Sequence, residues 1–182
     1  MKYLITGGAG FIGSHIARAL LQQGADVRIL DNFSSGKRDN LSGLDVEIIE
    51  GDLRDASRVT EAVRGVNIIF HEAAFVSVPE SMEKPQECFD VNVTGTSVLF
   101  EAARKAGVKR VVIASSAAVY GDSTAMPLVE DTPLKQLSPY ATSKRIDEMY
   151  AELFTNQFGL EVAALRYFNV YGLRQPHEGA YA

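Results

Sequence analysis

The chain has 182 residues, 46% of them hydrophobic and 23% charged, a balance that suits one globular domain with a real core. A net charge of −5 with no basic run argues against a nucleic-acid grip, and no apolar stretch approaches the length of a membrane span. Cys88 is the only cysteine, which excludes an internal disulfide and fits a reducing, cytoplasmic setting.

Short β-branched runs alternate with helical patterns along the chain. Strands are predicted at Lys2–Thr6, Asp26–Asp31, Val46–Glu50, Ile68–His71, Arg110–Ala114 and Val162–Arg166. Helices are predicted at Gly13–Gln23, Ala56–Val63, Pro85–Ala106 and Pro139–Phe158. Such alternation implies a parallel sheet with helices on both faces, and right-handed crossovers make it an α/β, doubly wound, Rossmann-type domain. Asp55 can cap the second helix and Ser138-Pro139 opens the fourth. Ile146, Met149, Tyr150, Leu153, Phe154 and Phe158 form a broad apolar stripe on that fourth helix. Packing against the sheet is expected to account for much of it, and a second subunit for part. Too few residues follow Tyr171-Gly172 for a second domain.

Thr6-Gly7-Gly8-Ala9-Gly10-Phe11-Ile12-Gly13 joins the first strand to the first helix. Gly7 permits the sharp turn off the strand. Gly10 lets backbone amides approach a pyrophosphate at the positive end of the helix dipole. Gly13 lets the helix lie close to the sheet. Glycines also make tight turns with no ligand, but the strand before and the amphipathic helix after favour a dinucleotide. Asp31 ends the second strand, where a carboxylate can accept both adenosine ribose hydroxyls and repel a 2′-phosphate, so NAD is favoured over NADP. The alternative for Asp31 is a loop cap. Asp52-Leu53, after the third strand, can reach the adenine edge, and a simple helix cap is an equal alternative for Asp52.

Tyr140 and Lys144 stand at i and i+4 of the fourth helix and therefore share a face. The lysine charge favours the phenolate, which can accept a hydroxyl proton while hydride leaves the same carbon. Ser115-Ser116 ends the fifth strand, and strand carboxyl ends line the ligand crevice of an open α/β sheet. One serine hydroxyl can bond the substrate oxygen; the other is expected to serve the turn. His15, His71 and His177 lack a ligand-like arrangement, so no metal is expected.

These motifs, with Asp31-Asn32-Phe33-Ser34-Ser35-Gly36, His71-Glu72-Ala73-Ala74, Asn92-Val93-Thr94-Gly95-Thr96, Ser115 to Gly121, Ser138 to Lys144 and Arg166 to Gly172, resemble the extended short-chain dehydrogenase/reductases. The likeness is to the NAD-dependent epimerase/dehydratase family, on the side of the UDP-glucose and UDP-N-acetylglucosamine 4-epimerases. The resemblance implies Ser116 as catalytic hydroxyl, Tyr140 as base, and Lys144 as holder of the nicotinamide ribose. It implies Gly7, Gly10, Phe11, Ile12, Gly13, Asp31, Asn32, Asp52, Leu53, Ala73, Ala74, Asn92 and Tyr167 as cofactor contacts. Ser77, Ser116 and Asn169 become substrate contacts.

The implied reaction removes hydride from C4 of a UDP-sugar, turns the 4-keto sugar, and returns hydride to its other face. Related 4,6-dehydratases carry Asp-Glu after the hydroxyl residue, whereas this chain has Ala117-Ala118, which favours epimerisation over dehydration. A uronate 4-epimerase, a 4-reductase and a non-catalytic NAD-binding fragment stay as alternatives. The resemblance further implies residues 1–172 as the cofactor domain, 173–182 as the truncated start of a connection to an absent substrate domain, and a homodimer through the helices at 85–106 and 139–158.

Overall fold

Buried β-branched runs need hydrogen-bonding neighbours on both sides, and the chain supplies them by returning each strand through a helix. The computed structural model describes residues 1–175. In chain order it shows β1 (Lys2–Thr6), α1 (Phe11–Gln22), β2 (Asp26–Asp31), β3 (Glu47–Glu50), α2 (Ala56–Ala62), β4 (Ile68–His71), α3 (Val78–Glu83), α4 (Pro85–Phe89), α5 (Gly95–Lys105), β5 (Arg110–Ser116), α6 (Pro139–Phe158) and β6 (Glu161–Tyr167). The six strands form one sheet in the order β3-β2-β1-β4-β5-β6, all parallel. The order reverses between β1 and β4, so the ligand crevice of such a sheet opens there, beyond Thr6 and His71.

The core has two parts. Ile5, Ala17, Val27 and Ile29 pack α1 against one side of the sheet. Leu4, Ile69, Phe100, Val111 and Phe154 join α2, α5 and α6 on the other. Asp55 caps α2 through the Ser57 and Arg58 amides, and Ser138 caps α6 through the Ala141 amide, as their side chains predict.

Four expectations are corrected. The single helix predicted over 85–106 is α4 and α5 with a π-helical turn, Asp90–Thr94, between them. The short helix α3 is additional to the predicted set, although Ser77-Val78-Pro79-Glu80 has capping-box spacing and Ser77 does accept from the Glu80 amide. β5 runs on to Ser116 because β6 stays paired with it as far as Tyr167. The apolar stripe of α6 faces mostly outward. Met149, Leu153 and Phe158 are exposed, while Lys144, Asp147, Glu148, Ala151 and Phe154 are buried. The inner face is polar, and its buried charges find partners there: Lys144 with Asp147, and Glu148 with Ser115 and Arg166. Most of the segment 173–182, with His177, lies outside the described residues.

Candidate active site at the strand carboxyl ends

The glycine loop leaves β1 through Gly7, whose φ of +67° suits glycine, and a Cβ there would sit 2.6 Å from the Ala73 amide nitrogen. A Cβ on Gly13 would lie 2.4 Å from the Gly7 carbonyl oxygen, so this glycine seats α1 on its own loop rather than on the sheet. Gly10 is the N-cap of α1 and offers no side chain to its first-turn amides. Those amides and the dipole behind them are left for an anion. The Asp31 carboxylate is buried. It accepts from the Ala9 amide at 2.9 Å and the Phe33 amide at 2.8 Å. The loop-cap role is therefore present, and each oxygen keeps a second acceptor direction. Asn40 Nδ2 and the Lys37 amide both donate to the Ala9 carbonyl, a clasp with no local signal in the sequence.

Asp52 does not cap a helix. It takes two bonds from the Arg54 guanidinium and one from Asn32 Nδ2, and Arg54 holds its carboxyl well below the usual range. Leu53 is buried beside it, touching the position where a Gly95 Cβ would stand. Phe11, Ile12, Ala73 and Ala74 are half-buried around the loop, while Asn32 and Asn169 are exposed.

Across the crevice the two serines divide their work by strand alternation. Ser115 is buried and donates to Glu148 at 2.6 Å. Burial opposes the charge of Glu148, but Arg166, Ser115 and Arg145 outweigh it and hold the carboxyl below its ordinary value. Ser116 is half-buried on the other face and accepts from the Ala118 amide at 3.1 Å, leaving its own proton free to donate. Tyr140, half-buried in the first turn of α6, gives its amide to Ser81 of α3. The additional helix thus satisfies one orphan amide at the head of α6 and locates the tyrosine. Ser77 caps α3 by accepting from the Glu80 amide, which, as at Ser116, leaves its own proton to donate.

Asn92 lies in the π-helical turn. Its side chain clamps both the amide and the carbonyl of Phe75 and reaches Ser143, which donates to the Tyr140 carbonyl. Lys144 is buried, with its ammonium 3.7 Å from Asp147. Its charge also acts on His71 and Glu72 at the end of β4. Burial, aided by Lys144, pushes His71 down to about 3. Burial pushes Glu72 up to about 7, against the pull of Tyr167 and Lys144. The Tyr167 hydroxyl donates to Glu72 at 3.2 Å, across the end of β5. In the sequence Glu72 stands out only as part of its motif; its closeness to Tyr167 has no local signal.

Together the loop, the buried acid at the end of β2 and the Tyr-x-x-x-Lys helix define a Rossmann-type domain whose candidate site lies at the strand carboxyl ends. The chain belongs to the NAD dependent epimerase/dehydratase family, whose model matches residues 3–181. A UDP-N-acetylglucosamine 4-epimerase from Methanobrevibacter ruminantium M1, solved with UDP-N-acetylmuramic acid, is 41% identical with a TM-score of 0.94, covering 100% of this chain and 59% of its own. A UDP-glucose 4-epimerase from Thermus thermophilus, solved with NAD, is 42% identical with a TM-score of 0.94, over 100% of this chain and 59% of its own. The dTDP-glucose 4,6-dehydratase DesIV of Streptomyces venezuelae, solved with NAD and TYD, is 38% identical with a TM-score of 0.91, over 96% of this chain and 58% of its own. The chain spans 58% and 52% of the length of the first two curated relatives it matches.

Proposed function

We propose that residues 1–172 form the NAD-holding domain of a UDP-hexose 4-epimerase and that Ser116, Tyr140 and Lys144 carry its proton chemistry. One observation carries the reading: Asn92 clamps Phe75, just beyond β4, and reaches through Ser143 to the Tyr140 carbonyl at the head of α6, while the Gly7 turn lies against Ala73 of the same stretch. The residues present fit a dinucleotide. An uncapped helix start follows a glycine turn, and a buried carboxylate closes β2. NAD, when bound, supplies a reversible acceptor for hydride.

Everything else falls to the chain. Gly7 to Gly13 receive the pyrophosphate, with Phe11 and Ile12 contributing amides. Asp31 takes the adenosine ribose, and Asn32, Asp52 and Leu53 flank the adenine. Ala73 and Ala74 approach the cofactor by their backbone, and Asn92 fixes the Phe75 loop behind it. Tyr140 takes the proton of the sugar 4-hydroxyl and later returns it. Ser116 donates to the same oxygen. Lys144 holds the ribose and supplies positive charge to the phenolate. Tyr167, at the end of β6, lies against the cofactor, and Asn169, beyond it, meets the sugar nucleotide together with Ser77.

The residues after Ser116 choose the reaction. Ala117 and Ala118 cannot move the proton that expulsion of water from C5–C6 would require. Inversion at C4 is the outcome these residues allow. A homodimer across the outer faces of α4 and α6 accords with the exposure of Phe89, Met149 and Leu153. A cytoplasmic location accords with the lone, reduced Cys88. Incubating the chain with NAD and UDP-glucose and following the anomeric protons by NMR tests the reaction. Slow formation of UDP-galactose is expected, because the chain spans only part of its relatives' length and holds the sugar loosely; a 4-keto-6-deoxy sugar contradicts it.

A further inference from the structure

The end of β2 carries two opposed signals for a dinucleotide. A carboxylate there accepts ribose hydroxyls and repels a 2′-phosphate, whereas an arginine nearby accommodates one. This chain has both. Asp31 is the carboxylate, buried and accepting from the Ala9 and Phe33 amides. In the register of β2 and β3 it stands opposite Glu50, and the Gly51 amide donates to the Asp31 carbonyl at 3.1 Å. Backbone pairing therefore fixes Glu50 beside Asp31.

Arg38 reaches the same place along the loop after β2. That loop lies back on the glycine loop. The Lys37 amide donates to the Ala9 carbonyl at 3.0 Å, and a Cβ on Gly36 would meet the Ala9 Cβ at 2.9 Å. Arg38 then opens a 3₁₀ turn, Arg38–Leu41. Its guanidinium stands 4.0 Å over the Phe33 ring and pairs with the Glu50 carboxylate. Phe33 has a φ of +55°, an outlier for a bulky side chain, and its amide is one of the two that Asp31 accepts. The guanidinium is thus bracketed by Phe33, two residues after Asp31, and by Glu50, the register partner of Asp31.

A free guanidinium at this position would offer a phosphate its bidentate fork. Here one edge is taken by a carboxylate and one face by a ring. Arg54, the other guanidinium at the strand ends, is likewise taken up, by Asp52. Lys37 is exposed, but its ammonium is a hydrated point charge on a flexible stem and has no fork.

We propose that Glu50 is a specificity-determining residue of the cofactor site: it holds the Arg38 guanidinium at the end of β3, away from a 2′-phosphate, and so reinforces the choice of NAD that Asp31 makes. The inference rests on the dinucleotide reading above. It adds that the acid at the end of β2 does not choose alone, and that a site for the phosphorylated dinucleotide lies latent in the same loop. The side chains of Arg38 and Glu50 are 60% and 62% exposed, so the effect is a matter of a few-fold, and substitution at either should leave the fold intact.

The test measures NAD and NADP binding by isothermal titration calorimetry at low salt, for the parent chain, Glu50→Gln, Arg38→Gln and the double variant, with thermal melting to confirm that each folds. The parent should prefer NAD. Glu50→Gln should lower the ratio of the NADP to the NAD dissociation constant by about three- to fivefold, chiefly through tighter NADP binding. The gain should shrink at about 0.5 M salt, as an exposed charge contact must. With Arg38→Gln already present, the same change at Glu50 should leave the ratio nearly unchanged, because no guanidinium remains to be released. An unchanged ratio in Glu50→Gln overturns the inference. So does an equal gain with Gln at position 38, which would make Glu50 a simple repulsive charge. Either result from a chain that binds NAD leaves the proposed function standing. Binding of neither nucleotide by the folded parent overturns that reading, and this inference with it.

Discussion

The two walls of the crevice are built on different principles. The β1–α1 wall is mostly backbone: glycines, a helix start and an apolar core of Ile5, Ala17, Val27 and Ile29. The α6 wall is mostly side chain: Ser115, Lys144, Asp147 and Glu148 are buried, each with a polar partner. A backbone wall tolerates little change in shape. A polar wall tolerates little change in charge or hydrogen bonding. Substitutions on the two sides should therefore fail differently.

The largest effect belongs to the backbone wall. Gly7→Ala meets both a positive φ and the Ala73 backbone at 2.6 Å, and it should cost more than about 4 kcal/mol in denaturant unfolding and remove NAD binding. Gly24→Ala, with a φ of +73° but nothing within 4 Å, should cost only about 1 kcal/mol and leave binding unchanged. Equal losses in the two variants would show that the close approach to Ala73 is not what Gly7 serves.

Next comes the chemistry of the other wall. Tyr140→Phe should lower UDP-hexose turnover by about 10²–10⁴-fold with the melting temperature nearly unchanged. Retained turnover would remove the phenol from the mechanism. The serine pair separates structure from function on adjacent residues. Ser115→Ala removes a bond to a buried carboxylate and should cost about 1–3 kcal/mol of stability, with NAD affinity intact. Ser116→Ala should leave stability within about 0.5 kcal/mol and suppress turnover. The opposite pattern would exchange their roles.

The smallest effect concerns pH. Burial raises Glu72 from 4.5 to about 7, so the folded state binds this proton more tightly than the unfolded chain. Its contribution to stability is complete below pH 4.5 and is lost as pH rises through 7. Glu72→Gln removes that loss, so its stability relative to the parent should improve between pH 4.5 and pH 8 in urea titrations. A difference independent of pH would mean that Glu72 is ordinary in the folded chain.

The contrast between the walls also explains what the sequence could disclose. Glycine spacing, strand and helix periods and caps are local, so the cradle, the cores of all six strands and the ends of α2 and α6 could be read directly. Asp55 and Ser138 cap the helices their side chains announce. The π-helical turn at Asp90–Thr94 left no local mark, because its residues continue a helical pattern. Nor could periodicity show that the inner face of α6 is polar. Lys144, Asp147 and Glu148 look like a solvated face until Ser115 and Arg166 arrive from other elements. Glu72 became a site residue only through Tyr167, ninety-five positions away. α3 is legible in the capping-box spacing of Ser77-Val78-Pro79-Glu80, but six residues are too few for a helical period to show.

The central claim is that hydride leaves and returns to C4 of a sugar within a crevice where Tyr140 handles the accompanying proton. UDP-[4-²H]galactose incubated with the chain and NAD in ordinary water tests it most directly. The account predicts UDP-glucose that still carries deuterium at C4, with formation suppressed in Tyr140→Phe. Exchange of that deuterium for solvent hydrogen, or equal conversion by the phenylalanine variant, would contradict it.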